Sequence, residues 1–226
     1  MEANYKCAYC EKKIDMIGEN EYETSFADVE HYRPKSSYWW LAYCYDNYLY
    51  VCEICNRTYK NDDFPFLNQQ QPAPAVSIKS PNTFLKKEAS RITPDPLNQK
   101  QGQRWSKFRE LHKNERPFIL NPYFDEPKDF FIYEVDETLK EVKISVKPTT
   151  SHLVDYQDAI DKKLGLNRLF LRQDRFSHYD HWKTFKDLLT DSISPLSRSK
   201  LLQKIQQMQL PDYPYSGMIR YFESII

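Results

Sequence analysis

The stretch Asp28-Val-Glu-His-Tyr-Arg-Pro-Lys35, followed at a distance by Asn47, Asn56 and Lys60, holds the groups that hydrolysis of a phosphodiester requires. A hard divalent cation takes oxygen ligands, which Glu30 and the side-chain carbonyl of Asn56 supply while leaving positions for water and phosphate oxygens. Such donors select Mg²⁺ or Mn²⁺; a histidine at position 56 would favour Zn²⁺ or Ni²⁺ instead. His31, next to a ligand in sequence, is the candidate general base, an imidazole able to take a proton from a water aimed at phosphorus. Asn47 is expected to hold the intervening loop or to orient the imidazole through its amide. Arg33, Lys35 and Lys60 are candidates for phosphate contact and for offsetting charge in the transition state.

Around this set stand five cysteines: Cys7-x-x-Cys10, Cys52-x-x-Cys55 and, alone, Cys44. Two C-x-x-C knuckles provide the four thiolates of a tetrahedral structural zinc, two from each turn. The 41 residues between the pairs must then form a folded unit whose base the metal staples. Buried free thiols or two disulfides are the competing readings, and the absence of an export signal favours zinc. Cys44, inside an aromatic run, reads as an ordinary buried thiol.

The elements that must position these residues follow from local pattern. Phe26–Tyr32 and Asn47–Val51 are rich in aromatic and β-branched residues and read as strands, and Cys52–Asn61 is compatible with a helix. Strand, long loop, strand, helix is the expected order. Further on, Phe130–Val135 and Glu141–Val146 alternate about the polar turn Asp136-Glu-Thr-Leu, as in a hairpin. From Leu153 to Leu189, and again from Ser197 to Met208, apolar residues recur at helical spacing. The fold class is therefore α+β. An N-terminal module (1–65) and an uncharged connector (66–78) precede a mainly helical region (79–226) with a hairpin near 130–146.

Lys+Arg and Asp+Glu both number 32, so net charge is zero, but its distribution is uneven. Residues 1–65 carry 7 basic and 12 acidic side chains, whereas 79–116 carry 10 and 4, a segment able to track phosphates or to face a partner. The longest apolar run, Tyr38–Tyr45, is far too short for a bilayer span, and no secretory h-region begins the sequence; no membrane partner and a cytoplasmic setting are expected. Four scattered glycines cannot build a dinucleotide fingerprint or a P-loop, so any ATP hydrolysis falls to a partner. Most of the aromatic cluster Tyr38, Trp39, Trp40, Tyr43 and Tyr45 is expected in the core, with base stacking as the other use of such rings. His178-x-x-His181 lacks acidic or cysteine companions and reads as structural.

Glu30-His31, Asn47 and Asn56 together resemble the HNH endonucleases of the ββα-metal fold. The wording around them, Glu-His-Tyr-Arg-Pro-Lys and then Asn47-Tyr-Leu-Tyr-Val-Cys-Glu-Ile-Cys-Asn-Arg-Thr-Tyr-Lys, resembles more narrowly the nuclease subunits of bacterial Septu-type and retron-associated anti-phage systems. The blocks Arg116-Pro-Phe-Ile-Leu-Asn-Pro-Tyr-Phe-Asp-Glu-Pro and Leu164-Gly-Leu-Asn-Arg-Leu-Phe-Leu extend the likeness into the second half. It implies metal-dependent cleavage of nucleic acid, DNA before RNA, by a subunit that works with an AAA or SMC-like ATPase. In retron systems the reverse transcriptase and its RNA/DNA join the partners. In this reading Mg²⁺ sits on Glu30 and Asn56, and zinc on Cys7, Cys10, Cys52 and Cys55. His31 is then catalytic with Asn47, Lys60 and Arg33 in support. Two rivals are an RNA-cleaving enzyme, for instance on transfer RNA, and a non-catalytic zinc module that binds nucleic acid or protein.

Overall fold

The computed structural model describes residues 4–14, 27–77, 79–92 and 106–225. Phe26, Ile78, two of the four glycines (Gly18 and Gly102) and residues 93–105 of the basic segment lie outside them. Strand β1 (Ala27–His31) pairs antiparallel with β2 (Tyr48–Cys52), in a register running from Ala27 opposite Cys52 to His31 opposite Tyr48. Leu49 and Val51 of β2 are buried, as alternation along a half-covered strand requires. The loop between the strands is tacked down by two 3₁₀ turns, Trp39–Leu41 and Tyr45–Asn47, which send Leu41, Cys44 and Asn47 inward.

After β2 comes the expected helix, but its winding is π: Ile54–Lys60 closes with the N–H of Asn61 on the carbonyl of Asn56 at 2.7 Å, Asn61 having φ 45°. Propensity does not encode that choice. Three of its side chains, Asn56, Arg57 and Lys60, are tied to β1, and these tertiary bonds hold the wider turn.

Two helices follow, α1 (Asn82–Ile92) and α2 (Ser106–Glu115). A short helix α3 (Pro127–Phe130) leads into the hairpin of β3 (Phe131–Asp136) and β4 (Glu141–Val146), in place as the alternation predicts. Beyond it lie α4 (Leu153–Asp158), a π turn (Ala159–Lys163), α5 (Leu169–Leu188), α6 (Pro195–Met208) and α7 (Ser216–Ile225). Helix α6 starts two residues before the expected Ser197: Ser194 caps the N–H of Ser197 at 3.1 Å and Pro195 occupies the first turn. The α+β class stands.

The expected connector is not a free tether where it begins. Residues 65–68 run antiparallel to 115–118: Leu67 N–H reaches the carbonyl of Arg116 at 3.0 Å, and Phe118 N–H that of Pro65 at 2.9 Å. The far C-terminal region also reaches the first knuckle, where Lys6 Nζ donates to the Ser216 hydroxyl at 2.9 Å and Gly217 N–H donates to Glu11 at 3.1 Å. An uncharged, proline-containing segment can pack or lead away, and its backbone bonds to residues 115–118 show that it begins packed.

Candidate active site and metal centre

The first knuckle is shaped by its own backbone. Cys7 N–H donates to the Lys12 carbonyl, Glu11 N–H to that of Cys7, and Ala8 N–H to Tyr50 on β2, each at 2.9 Å. That last bond lays the turn alongside β2, whose final residue is Cys52 and whose following helix carries Cys55. The four sulfurs consequently lie within 4.8 Å of one another, all buried. Cys10 and Cys52 Sγ stand 4.0 Å apart, too far for a disulfide and near the roughly 3.8 Å edge of a tetrahedron built on Zn–S bonds of about 2.3 Å. Hydrogen bonds from its three neighbours, Cys10 foremost, pull the Cys52 thiol far below the usual range, while burial pushes Cys7 up. Four buried sulfurs this close together suit a dication, which favours their thiolate forms. The four residues can hold a zinc ion. Cys44 stands outside the group, its thiol pushed up to about 11 by burial, as an ordinary buried thiol.

A cleft of about 280 Å³ is lined by Val29, Glu30, His31, Pro34, Lys35, Asn56, Arg57, Asn61 and Asp62. It unites four of the expected residues, Glu30, His31, Lys35 and Asn56. His31 Nε2 lies 2.9 Å from the carbonyl oxygen of Ala42, and the Tyr48 ring meets the imidazole edge-on at 5.1 Å. A carbonyl oxygen only accepts, so Nε2 carries a hydrogen and Nδ1 of the neutral ring keeps its lone pair. Tyr48 hydroxyl donates to the same carbonyl at 2.7 Å. The Asn56 amide donates to Asp28 Oδ2 at 3.1 Å, which fixes the amide so that Oδ1 is the atom left for a cation.

Glu30 is buried and ion-paired with Lys60. Burial holds the Glu30 carboxyl above its ordinary value and the Lys60 ammonium below its own, each partly offset by the other's charge. Among the described residues the four cysteines are the one close group of three or more His, Cys, Asp or Glu side chains. Of the expected oxygen ligands, Glu30 and Asn56 both line the cleft, Glu30 being ion-paired with Lys60.

Three of the expected residues are engaged by protein partners instead of facing the cleft. Arg33 cannot touch a phosphate in this arrangement: it is fully buried, its Nε 2.8 Å from Glu115 Oε2, its guanidinium between the rings of Tyr32, Tyr38 and Phe64. Lys60 is equally enclosed, donating to the His31 carbonyl at 3.1 Å and facing Glu30 instead of the cleft mouth. Asn47 does not grip the imidazole; it clasps the backbone of Arg33, accepting from its N–H and donating to its carbonyl, both at 2.9 Å. The alternative expectation, holding the loop, is the one its contacts match. In each case a polar side chain beside a motif finds a nearer partner that sequence spacing does not disclose.

Sequence reasoning left Asp28 without a role, although it lies two residues before Glu30 on the same strand face and takes both Asn56 and Arg57. That spacing was a usable signal. Tyr48 and the Ala42 carbonyl were beyond reach, because their placement depends on register and loop path. The aromatic cluster is not mostly in the core as expected: Tyr38 is buried and Trp40 half-buried, whereas Trp39, Tyr45 and Tyr43 are exposed, at 52%, 47% and 93%, on the loop whose Ala42 holds His31. His178 is half-buried against the Tyr213 hydroxyl at 3.1 Å, as a structural residue would be, whereas His181 is exposed.

No family model matches this chain, and no solved structure matches it. Among curated proteins it is similar to the Septu protein PtuB of Bacillus mycoides (strain KBAB4), 29% identical over 138 residues, which are 50% of this chain and 44% of that protein. It is also similar to the Septu protein PtuB of Bacillus thuringiensis, 33% identical over 87 residues, 37% of this chain and 32% of the other. The chain thus spans less than half the length of the curated relatives it matches, and the similarity relates it to Septu proteins. Among the described residues no helix is long and apolar enough to cross a membrane.

Proposed function

We propose that this chain is a metal-dependent HNH endonuclease of the ββα-metal type, acting as an effector of a Septu-type anti-phage defence complex together with an AAA or SMC-like ATPase. The observation that carries the reading is His31, oriented by the Ala42 carbonyl, beside Glu30 and Asn56 over one cleft. In this reading Nδ1 of His31 takes a proton from water as its oxygen attacks phosphorus and the ester P–O bond breaks. Glu30 and Asn56 Oδ1 would hold Mg²⁺ or Mn²⁺, which when bound supplies electrostatic stabilisation of the phosphate oxygens. Lys35, exposed at the cleft, is placed to meet a phosphate. Asn47 keeps the end of β1 against its loop, and Lys60 keeps Glu30 in place. Zinc on Cys7, Cys10, Cys52 and Cys55 staples strand and helix together.

DNA is the favoured substrate. One observation favours RNA as a second reading: the exposed rings of Trp39 and Tyr43, beside the residue that positions His31, suit splayed bases better than a stacked duplex. The test is cleavage of plasmid DNA and of total RNA by the wild type and by His31→Ala, alone and with the ATPase subunit, with Mg²⁺ supplied or withheld. Cleavage that requires both His31 and Mg²⁺ supports the enzyme, and the polymer cut identifies the substrate. No cleavage in any condition by a folded, zinc-loaded chain would replace this reading with that of a non-catalytic zinc module.

A further inference from the structure

The block Leu164-Gly-Leu-Asn-Arg-Leu-Phe-Leu171 takes no part in the cleft, yet its contacts are specific. Asn167 brackets Ile144 of β4, accepting from its N–H and donating to its carbonyl, both at 2.8 Å. Gly165, at φ +56°, abuts the Tyr59 ring so closely that a Cβ there would overlap it. Arg168, the residue before α5, is thereby delivered to the cysteine box: its Nη1 lies 3.5 Å from Cys55 Sγ and 3.1 Å from the Gly165 carbonyl. The guanidinium also covers the Tyr59 ring, 5.6 Å from its centroid.

Four thiolates around Zn²⁺ carry a net charge of −2, which is costly where all four sulfurs are buried. A cationic N–H on one sulfur removes part of that cost. The planar fork of arginine can serve a backbone carbonyl and a sulfur together, as a lysine ammonium on a flexible stem does less well.

We infer that Arg168 is the outer-sphere cation of the zinc centre, an N–H···S donor to Cys55 through which the metal fastens the helical C-terminal region to the β1–β2 module. The inference rests on the zinc reading of the cysteines and is independent of the nuclease reading. Its consequence is that zinc retention depends on a residue 113 positions away from the ligand it touches.

The test compares the zinc-loaded full chain with Arg168→Leu, Arg168→Lys and Lys12→Ala. Lys12 lies over the Phe170 ring at 4.5 Å, so its loss perturbs the same docking face without reaching sulfur. Competition with a chromogenic chelator should reveal roughly 10- to 100-fold weaker zinc retention in Arg168→Leu, the usual loss when an outer-sphere partner is removed. Lys12→Ala should match the wild type. With Co²⁺ in place of zinc, the sulfur-to-metal charge-transfer band should move to lower energy in Arg168→Leu, because an N–H donor stabilises the sulfur lone pair. Arg168→Lys, which keeps the charge, provides the same readout if the leucine variant does not fold, and its band should lie between the two. Equal retention in Arg168→Leu and wild type would overturn the inference, as would an unchanged Co²⁺ band in the folded variants. So would equal losses in Arg168→Leu and Lys12→Ala, which would make the effect one of packing. A wild type that binds no zinc would defeat the zinc reading itself.

Discussion

Glu115→Gln, at the end of α2 and away from the cleft, should destabilise the whole N-terminal half. Glu115 and Arg33 are both fully buried, with Nε and Oε2 2.8 Å apart. The same carboxylate accepts from the Tyr38 hydroxyl at 2.8 Å and from Gln71 N–H at 3.1 Å, so one group joins the end of β1, the aromatic loop, the connector and α2. Neutralising it leaves a guanidinium without its counter-charge in a cage of rings, a change that costs about 3–5 kcal/mol. With a urea slope of roughly 2–3 kcal/mol per M, the unfolding midpoint should fall by about 1–2.5 M at unchanged slope. The assay is equilibrium urea unfolding of the zinc-loaded chain, followed by tryptophan fluorescence. Arg33→Met combined with Glu115→Gln should recover part of the loss, since the unpaired charge is then gone. Two results would refute the reasoning: a midpoint shift below about 0.3 M, or full stability in Arg33→Met with loss of nucleic-acid cleavage alone. The latter would return Arg33 to the phosphate.

Lys60→Met should leave Glu30 as a lone buried carboxylate and cost about 3–5 kcal/mol in metal-free buffer. Mn²⁺ or Mg²⁺ should restore part of it if Glu30 is a ligand, a recovery that thermal melts with and without metal would detect. Burial holds the His178 imidazole below its ordinary value of 6.5, so the folded chain resists a proton that the unfolded chain accepts. Stability should therefore fall as pH drops below 6.5, and His178→Phe should flatten that slope by at most about 1.4 kcal/mol per pH unit; an unchanged slope in urea titrations at several pH values would count against it. Tyr43→Ala should leave the unfolding free energy within about 0.5 kcal/mol. It should raise KM on the cleaved polymer by roughly 5- to 150-fold at unchanged kcat, the worth of one stacked base; a fall in kcat alone would assign the ring another task.

Periodicity along the chain determined much by itself. Two C-x-x-C pairs specify four candidate ligands whatever path joins them, because each knuckle is a local turn, and the strand–loop–strand–helix order between them follows from strings of β-branched and aromatic residues. The 130–146 hairpin and helices α5 and α6 were legible for the same reason: period-2 and period-3.6 patterns are local properties. Glu30, His31 and Asn56 could be singled out by type and spacing, and they do line one cleft. What only the tertiary structure decided is which polar groups spend their charge on each other. Arg33 and Lys60 look like phosphate ligands in sequence, yet a buried cation needs the nearest carboxylate. For Arg33 that is Glu115, 82 residues on, and for Lys60 it is Glu30 across the strand–helix interface. Asn47 lies one residue before β2 but clasps Arg33 because register brings their backbones together. The π winding of Ile54–Lys60, the packed start of the connector and the reach of Arg168 to Cys55 share this cause: each is set by a partner distant in sequence, and local patterns carry no record of distant partners.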